Sequence, residues 1–307
     1  MTDEPRVVTL LPSATEICAA LGVAPVGVSH ECDHPPAVVA DARRVTRSRI
    51  PEEGDAAAVN DAVAAAVDEH GGVTAVDAEA IAACDPDVVV TQDACDVCAA
   101  PARRVDAALD AVDGDPTVIA LHSHTLEDVL GAVQEVGGAI GREDRAAEVV
   151  ADLDGRMEAL RDRTAGLDRP RLAVIEWTDP VMVGCHWVPE LVEAAGGMYS
   201  LAEPGQTSEP REWDEIRDVD PEVLVCAPCG FELPQAAASL DDLAERPGWA
   251  DLPAVRDGRV WAMDGHHLVN RPGPRLVDTA EHLAQILHPT AFGLPPNEVA
   301  QRPVKVR

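Results

Sequence analysis

The sequence predicts an α/β protein of two Rossmann-like lobes, each with a central parallel sheet, joined by one long bridging helix. Three observations predict it. Short unbroken apolar runs alternate with segments of helical period, as in a parallel sheet covered on both faces. A stretch near the middle keeps 3- and 4-residue apolar spacing for about four turns. The pattern of the first half then begins again in the second.

Arg6 to Leu11 reads as the first buried strand, and Pro12-Ser13 opens a helix with Pro in its first turn and Ser as cap, running through Ile17, Ala20 and Leu21 to Gly22. Val26 to Val28, Val88 to Val90 and Thr117 to Leu121 read as further short strands, each followed by helical periodicity. Across 141–165, Ala146, Val149, Val150, Leu153, Met157 and Leu160 form one apolar row, a helix of about 36 Å at 1.5 Å per residue. Boundaries follow: an N-terminal lobe at 1–140, a bridging helix at 141–168, a C-terminal lobe at 169–290 and a tail at 291–307.

Arg171 to Ile175 echoes Arg6 to Leu10 at an offset of 165 (171 less 6). Glu79, Ile81, Asp85, Pro86, Asp87 and Val88 to Val90 recur as Asp214, Ile216, Asp220, Pro221, Glu222 and Val223 to Val225, at an offset of 135 (214 less 79). The two offsets differ by 30, which places an extra segment in the first half between about Arg44 and Val73, containing the helical "DAAAVNDAVAAAVDEH". The alternative is that Asp-Pro before a valine run is a common link from helix to strand.

The 307 residues carry 55 acidic against 24 basic side chains, a net charge of -31, and Lys305 is the one lysine. Such a surface repels itself in dilute buffer and is screened in molar salt, where the Debye length falls to about 3 Å, so a halophilic solubility adaptation is expected. Nucleic acid is excluded as a partner, because phosphate binding needs a basic stripe. No stretch approaches about 18 apolar residues, so no membrane-embedded segment is expected. "MTDEPRVVTLLPSATE" shows no cationic leader and no small-residue cleavage site. The protein is therefore expected in the cytoplasm, with export as the alternative if the start site is mis-called. In a reducing compartment the eight cysteines read as thiols or ligands.

Ligands of open parallel sheets bind outside the carboxyl ends of the strands. Four unusual segments fall at such strand ends: "SHECDHP" (29–35), "QDACDVC" (92–98), "GCHW" (184–187) and "CAPCGF" (226–231). They supply His30, Glu31, Cys32, Gln92, Cys95, Cys98, His186, Trp187, Cys229 and Phe231 as candidate ligand-binding residues for a cleft between the lobes. "DGHHLVNRPGPR" adds His266, His267, Asn270 and Arg271. The five Trp, one Tyr and two Phe all lie at or after Trp177. Indole rings cover a wide flat ligand well, so Trp187 and Trp213 are expected to face it and Trp249 and Trp261 to fill the core.

"VVTLLPSATEICAALG", "VGVSHECDHPP", "DPDVVVTQDACDVCA", "IEWTDPVMVGCHWVPELVEAAGG", "DPEVLVCAPCGF" and "RPGPRLVDTAEHLAQILHP" resemble the cobalamin-binding branch of the class III substrate-binding proteins. That family holds cobalamin, siderophore and some metal-binding components of ABC importers, and the resemblance spans roughly residues 5–289. It implies one cobalamin-type corrinoid in the cleft, an ABC permease as possible partner, a monomeric binding protein and no catalysis. It also implies that Glu79 and Asp214 crown the two lobes and pair with permease arginines. The residues alone equally support first-turn helix acids there.

The Cys- and His-rich strand ends exceed what corrin stacking requires. Cys95, Cys98, Cys229 and His186 could ligate the cobalt, a separate soft metal or an iron-sulfur cluster. A cytosolic metal- or iron-sulfur-binding redox protein or metalloenzyme is therefore the rival reading. Catalytic motifs fail: "LLPSATE" is not a Gly-x-Ser-x-Gly elbow, no Gly-x-Gly-x-x-Gly opens the first helix and no P-loop is present.

Overall fold

The computed structural model describes residues 4–51, 54–92, 105, 109 and 114–302. The chain divides into two compact units. Unit 1 comprises Met1–Gly54, Ala58–Ser123 and Glu127–Asp152, and unit 2 comprises Asp55–Ala57, His124–Leu126 and Leu153–Arg307. Each has its own α/β core on a central parallel sheet, which is the predicted fold class.

In unit 1 the sheet runs β3 (Arg43–Arg44), β2 (Gly27–Val28), β1 (Val7–Thr9), β6 (Val88–Gln92), β7 (Thr117–Leu121), all parallel. The order reverses between β1 and β6, so the crevice beyond Thr9 and Gln92 is the topological switch point of this unit. Val8, Leu10, Val45, Ile81, Cys84 and Val89 form its core. The first helix, Pro12–Ala20, has Pro12 at its start, but its cap is Leu11 in extended conformation with no side-chain bond, and Ser13 is buried inside the helix, not capping it. Gly22, at φ +77°, ends the helix, where Val23 N–H bonds Cys18 O at 2.9 Å. The extra segment holds the helix Ala56–His70 beside a two-stranded antiparallel ribbon, β4 (Thr46–Ser48) with β5 (Thr74–Val76). That ribbon had no clear signal in the sequence.

In unit 2 the sheet runs β12 (Ala300–Gln301), β11 (Val260–Met263), β10 (Val223–Cys226), β8 (Leu172–Thr178), β9 (Val181–Val183). β8, β10 and β11 are parallel, while β9 and β12 are antiparallel edges. The tail set apart at 291–307 therefore contributes a strand to this sheet. Between β8 and β9, Asp179-Pro180 makes a tight hairpin. The core gathers Ile175, Val183, Ile216, Leu224, Leu243, Trp249 and Ala262.

The long helix spans Glu143–Thr164, with Ala146, Val149, Leu153, Met157 and Leu160 buried along one row. Its residues through Asp152 belong to unit 1 and those from Leu153 to unit 2. Its first turn packs on the preceding helix, Leu126–Ala139, so closely that a Cβ on Gly137 would lie 2.5 Å from that of Ala146. Farther along, Arg156 grips Asp278 and Glu281 of the helix Leu276–Leu287, at 2.9 Å to Glu281 Oε2.

The internal echo has a structural counterpart. Arg6 N–H donates to Asp87 Oδ2 at 2.8 Å, and Arg171 N–H donates to Glu222 Oε2 at 3.0 Å. Arg6 Nε donates to Cys84 O and Asp85 O, and Arg171 Nε to Val219 O and Asp220 O. Asp85 and Asp220 both take left-handed backbone, at φ 46° and 53°, a conformation Asp tolerates better than most residues. Two segments with the same unusual turn, each gripped by an equivalent arginine one strand away, argue for repetition and against a chance Asp-Pro link.

Candidate functional site

At the unit 1 strand ends, the loop after β2 is built by hydroxyls. His30 N–H donates to Thr46 Oγ1 at 2.9 Å, His30 Nδ1 meets the same oxygen at 2.7 Å, and Thr46 Oγ1 donates to Ser29 Oγ at 3.2 Å. Arg44 Nη1 holds Ser29 O at 2.7 Å and also bonds Cys32 O. Glu31 is exposed and ion-paired with His30 Nε2 at 3.2 Å. Gln92, the last residue of β6, is buried at the switch point. Cys32 differs from expectation. It is fully buried, its Sγ accepts from Thr15 Oγ1 at 3.0 Å, and Thr15 in turn pairs with Thr9 at 2.6 Å. Cys32 packs with Val28 and Val39 as a small hydrophobe. Cys95 and Cys98 lie outside the described residues.

The unit 2 strand ends are tied into one platform. Cys229 N–H bonds Glu176 O at 3.0 Å, and Gly265 and His266 N–H both bond Phe231 O, at 3.1 and 3.0 Å. Asn270 Nδ2 donates to Ala227 O at 2.9 Å. After β11 the chain makes a π-helical turn, Gly265–Val269, a feature frequent at functional sites. Only glycine fits at its start, because a Cβ on Gly265 would stand 2.1 Å from Pro228 O. Asp264 caps this turn: its Oδ1 accepts His267 N–H at 2.7 Å and its Oδ2 meets His267 Nδ1 at 2.8 Å. Burial alone would raise the Asp264 carboxyl, but the side-chain and backbone bonds from His267 outweigh it and hold it below the ordinary value. His266 packs edge-on to His267 at 4.6 Å, and its Nε2 meets Arg271 Nη2 at 3.1 Å. Arg271 is itself buried, with Nε donating to His266 O.

Phe231 packs on Trp177 at 5.2 Å, and both are buried. Burial pushes the Glu176 carboxyl up, with the Ser208 hydroxyl and the Cys185 N–H partly offsetting it. Cys229 is partly exposed, whereas Cys226 is fully buried on β10, and burial pushes its thiol far up. The 226–229 pair therefore cannot offer both sulfurs to one ion. Of the expected Cys95, Cys98, Cys229 and His186 ligand set, only Cys229 and His186 are among the described residues.

Two further expectations are corrected. Trp213 lies in the unit 2 core, not at a strand end: it packs on Trp249 at 6.1 Å, its Nε1–H donating to Pro247 O at 2.9 Å. "GCHW" does not leave a parallel strand, because β9 runs antiparallel to β8. Trp187 is buried, with its indole N–H bonded to Val269 O at 2.9 Å, and His186 stacks on it at 5.5 Å. His186 also meets His124, Nδ1 to Nδ1 at 3.3 Å. Burial, and then His124, lower the pKa of His186 below its ordinary value.

The sequence reading missed Asp264, Glu176 and His124. Asp264 had a signal, since a cap residue three before His267 is the spacing of an N-cap bond. Glu176 had a fainter one, a lone acid inside an apolar strand. His124 had none, because its partner lies 62 residues away. A groove of about 560 Å3 in unit 2 lies at the opposite, amino ends of the strands, near Asp168 to Pro170 and His288 to Ala291. Its guanidinium groups are engaged within the fold, Arg169 with Gly197 O and Arg259 with Leu287 O.

The family model described as periplasmic binding protein matches residues 7–266. The chain belongs to that family. It is 24% identical over 297 residues to an uncharacterized ABC transporter substrate-binding lipoprotein, YvrC, of Bacillus subtilis strain 168, covering 94% of this chain and 81% of that protein. A periplasmic heme binding protein from Pseudomonas aeruginosa has the same fold at a TM-score of 0.73 and 22% identity, with 98% of both chains covered. The periplasmic vitamin B12 binding protein BtuF of Vibrio cholerae superposes at a TM-score of 0.65 and 20% identity, over 92% of this chain and 96% of that one. The lobed α/β architecture of this periplasmic binding protein is thus the one these structures share.

Proposed function

We propose that this periplasmic binding protein holds one cobalamin-type corrinoid and delivers it to an ABC permease without catalysing a reaction. The family and the name of the B. subtilis relative support a small-molecule ligand and an importer partner. Structural neighbours named for vitamin B12 and for heme support a metal-bearing macrocycle as the ligand class. The observation that carries this class is the Asp264–His267 pair. With the Nδ1 proton held toward a carboxylate, the imidazole lone pair resides on Nε2, the arrangement of a histidine that ligates a metal. A macrocycle fills the equatorial positions of its metal and leaves the axial one for such a donor. The rival iron-sulfur or redox reading is not favoured, since the family is one of binding proteins and Cys226 is sealed in its sheet.

Calorimetric titration with hydroxocobalamin, cyanocobalamin and hemin in molar salt tests the reading. One-to-one binding of a corrinoid with quenching of tryptophan fluorescence is expected. No heat and no quenching with either corrinoid overturns it, and binding of hemin alone transfers the site to heme. The words periplasmic and lipoprotein in the relatives' names favour work outside the cytoplasmic membrane over the cytoplasmic expectation. Fractionation of native cells checks this, with recovery in the cytosol counting against delivery to a permease.

A further inference from the structure

Two imidazoles from distant parts of the chain meet in unit 2. His124 lies just before the helix Leu126–Ala139 and His186 just after β9, and their Nδ1 atoms stand 3.3 Å apart with ring centroids at 5.4 Å. Two nitrogens bound to one tetrahedral ion at about 2.0–2.1 Å are themselves about 3.4 Å apart, so the spacing is that of a chelating pair. An N–H···N hydrogen bond has a similar length, and a bound ion takes the place of the shared proton.

The fold fixes both rings. His186 has left-handed backbone at φ 54°, a strained choice for a non-glycine residue, held by His186 N–H to Gln206 O at 2.9 Å and Gly205 N–H to His186 O at 3.0 Å. Its ring lies on Trp187, which is pinned to Val269 O. Two residues after His124, Leu126 N–H is anchored on Glu190 Oε2 at 2.8 Å. Neither backbone bond at His186 serves a strand or helix ladder, so its left-handed conformation is held by the 203–206 loop.

We infer that His124 and His186 form a two-imidazole site for one late first-row divalent ion, of the copper, nickel or zinc kind, with water or a small chelate filling the remaining positions. Imidazole selects these ions over magnesium and calcium. The net charge of -31 concentrates cations at the surface and favours loading. This site is additional to the role proposed for His267.

The test is titration of the chelator-treated full chain with Cu2+ alone in a non-coordinating buffer, read by electron paramagnetic resonance and by Trp187 quenching. One ion per chain is expected, with coupling to two nitrogens. H124Q and H186N should each weaken binding at least tenfold and remove one nitrogen from the spectrum. Asn tolerates the left-handed backbone at position 186, and circular dichroism confirms folding of each variant. An unchanged two-nitrogen spectrum in both folded variants, or no ion bound at 100-micromolar Cu2+, overturns the inference and leaves the pair as a hydrogen bond alone.

Discussion

Asp264 is the residue on which the unit 2 platform turns. Its folded pKa is held below the ordinary value, so its bonds to His267 contribute stability at pH values above the unfolded carboxyl pKa and lose it as pH falls through the folded one. Asp264→Ala should therefore cost about 1.5–3 kcal/mol at pH 7 and much less in acid, measured by urea unfolding at both pH values. Glu176 has the opposite sign: burial raises its pKa, so Glu176→Gln should stabilise the fold at pH 8 and change little at pH 4. Thiol chemistry separates the cysteines in the same way. Cys229 should react with a maleimide in the folded protein, while Cys18, its thiol pushed up by burial to about 12, and the buried Cys32 and Cys226 should react only on unfolding. Labelling of Cys226 as fast as Cys229 would show that the strand end opens.

At the scale of elements, a tryptophan that reads as a ligand ring in sequence is claimed by the core. Trp213 opens the helix Trp213–Asp218 and fills the core, so Trp213→Ala should cost about 3–5 kcal/mol through the cavity it leaves, seen as a fall in thermal midpoint. A stable Trp213→Ala protein with weakened ligand binding would restore the ring to the site. Glu79 and Asp214 stand exposed in the first turns of the helices Ala78–Ala82 and Trp213–Asp218, and Asp214 is paired with Arg217 at 2.6 Å. If they dock a permease, each contributes only about 0.2–1 kcal/mol, less in salt. The double variant E79A/D214A should then lower transport into cells while leaving corrinoid affinity unchanged, and unchanged transport would make them helix-terminus acids only. Periodicity made the strands and the long helix legible here. β9 and β12 were not, because two- and three-residue edge strands carry too few alternations to register.

For the whole molecule, the balance of 55 acidic against 24 basic residues sets the conditions in which it folds. Self-repulsion is long-ranged in dilute buffer and confined to about 3 Å in molar salt, so the thermal midpoint should rise from 0.1 M to 2 M KCl. An unchanged or lower midpoint would make the acidity unrelated to salt.

By itself the sequence determined the α/β class, the long helix and the repeat, because these rest on patterns repeated over many residues and on local backbone demands such as the Asp-Pro turns. It also pointed to the segments at the strand ends. Only the tertiary structure decided which of their side chains reach a site. Cys32 and Trp213 look like ligand residues in sequence and are claimed by the core, while His124 meets His186 across 62 positions. Burial and pairing at such separations are properties of the folded path of the chain, which no local spacing encodes.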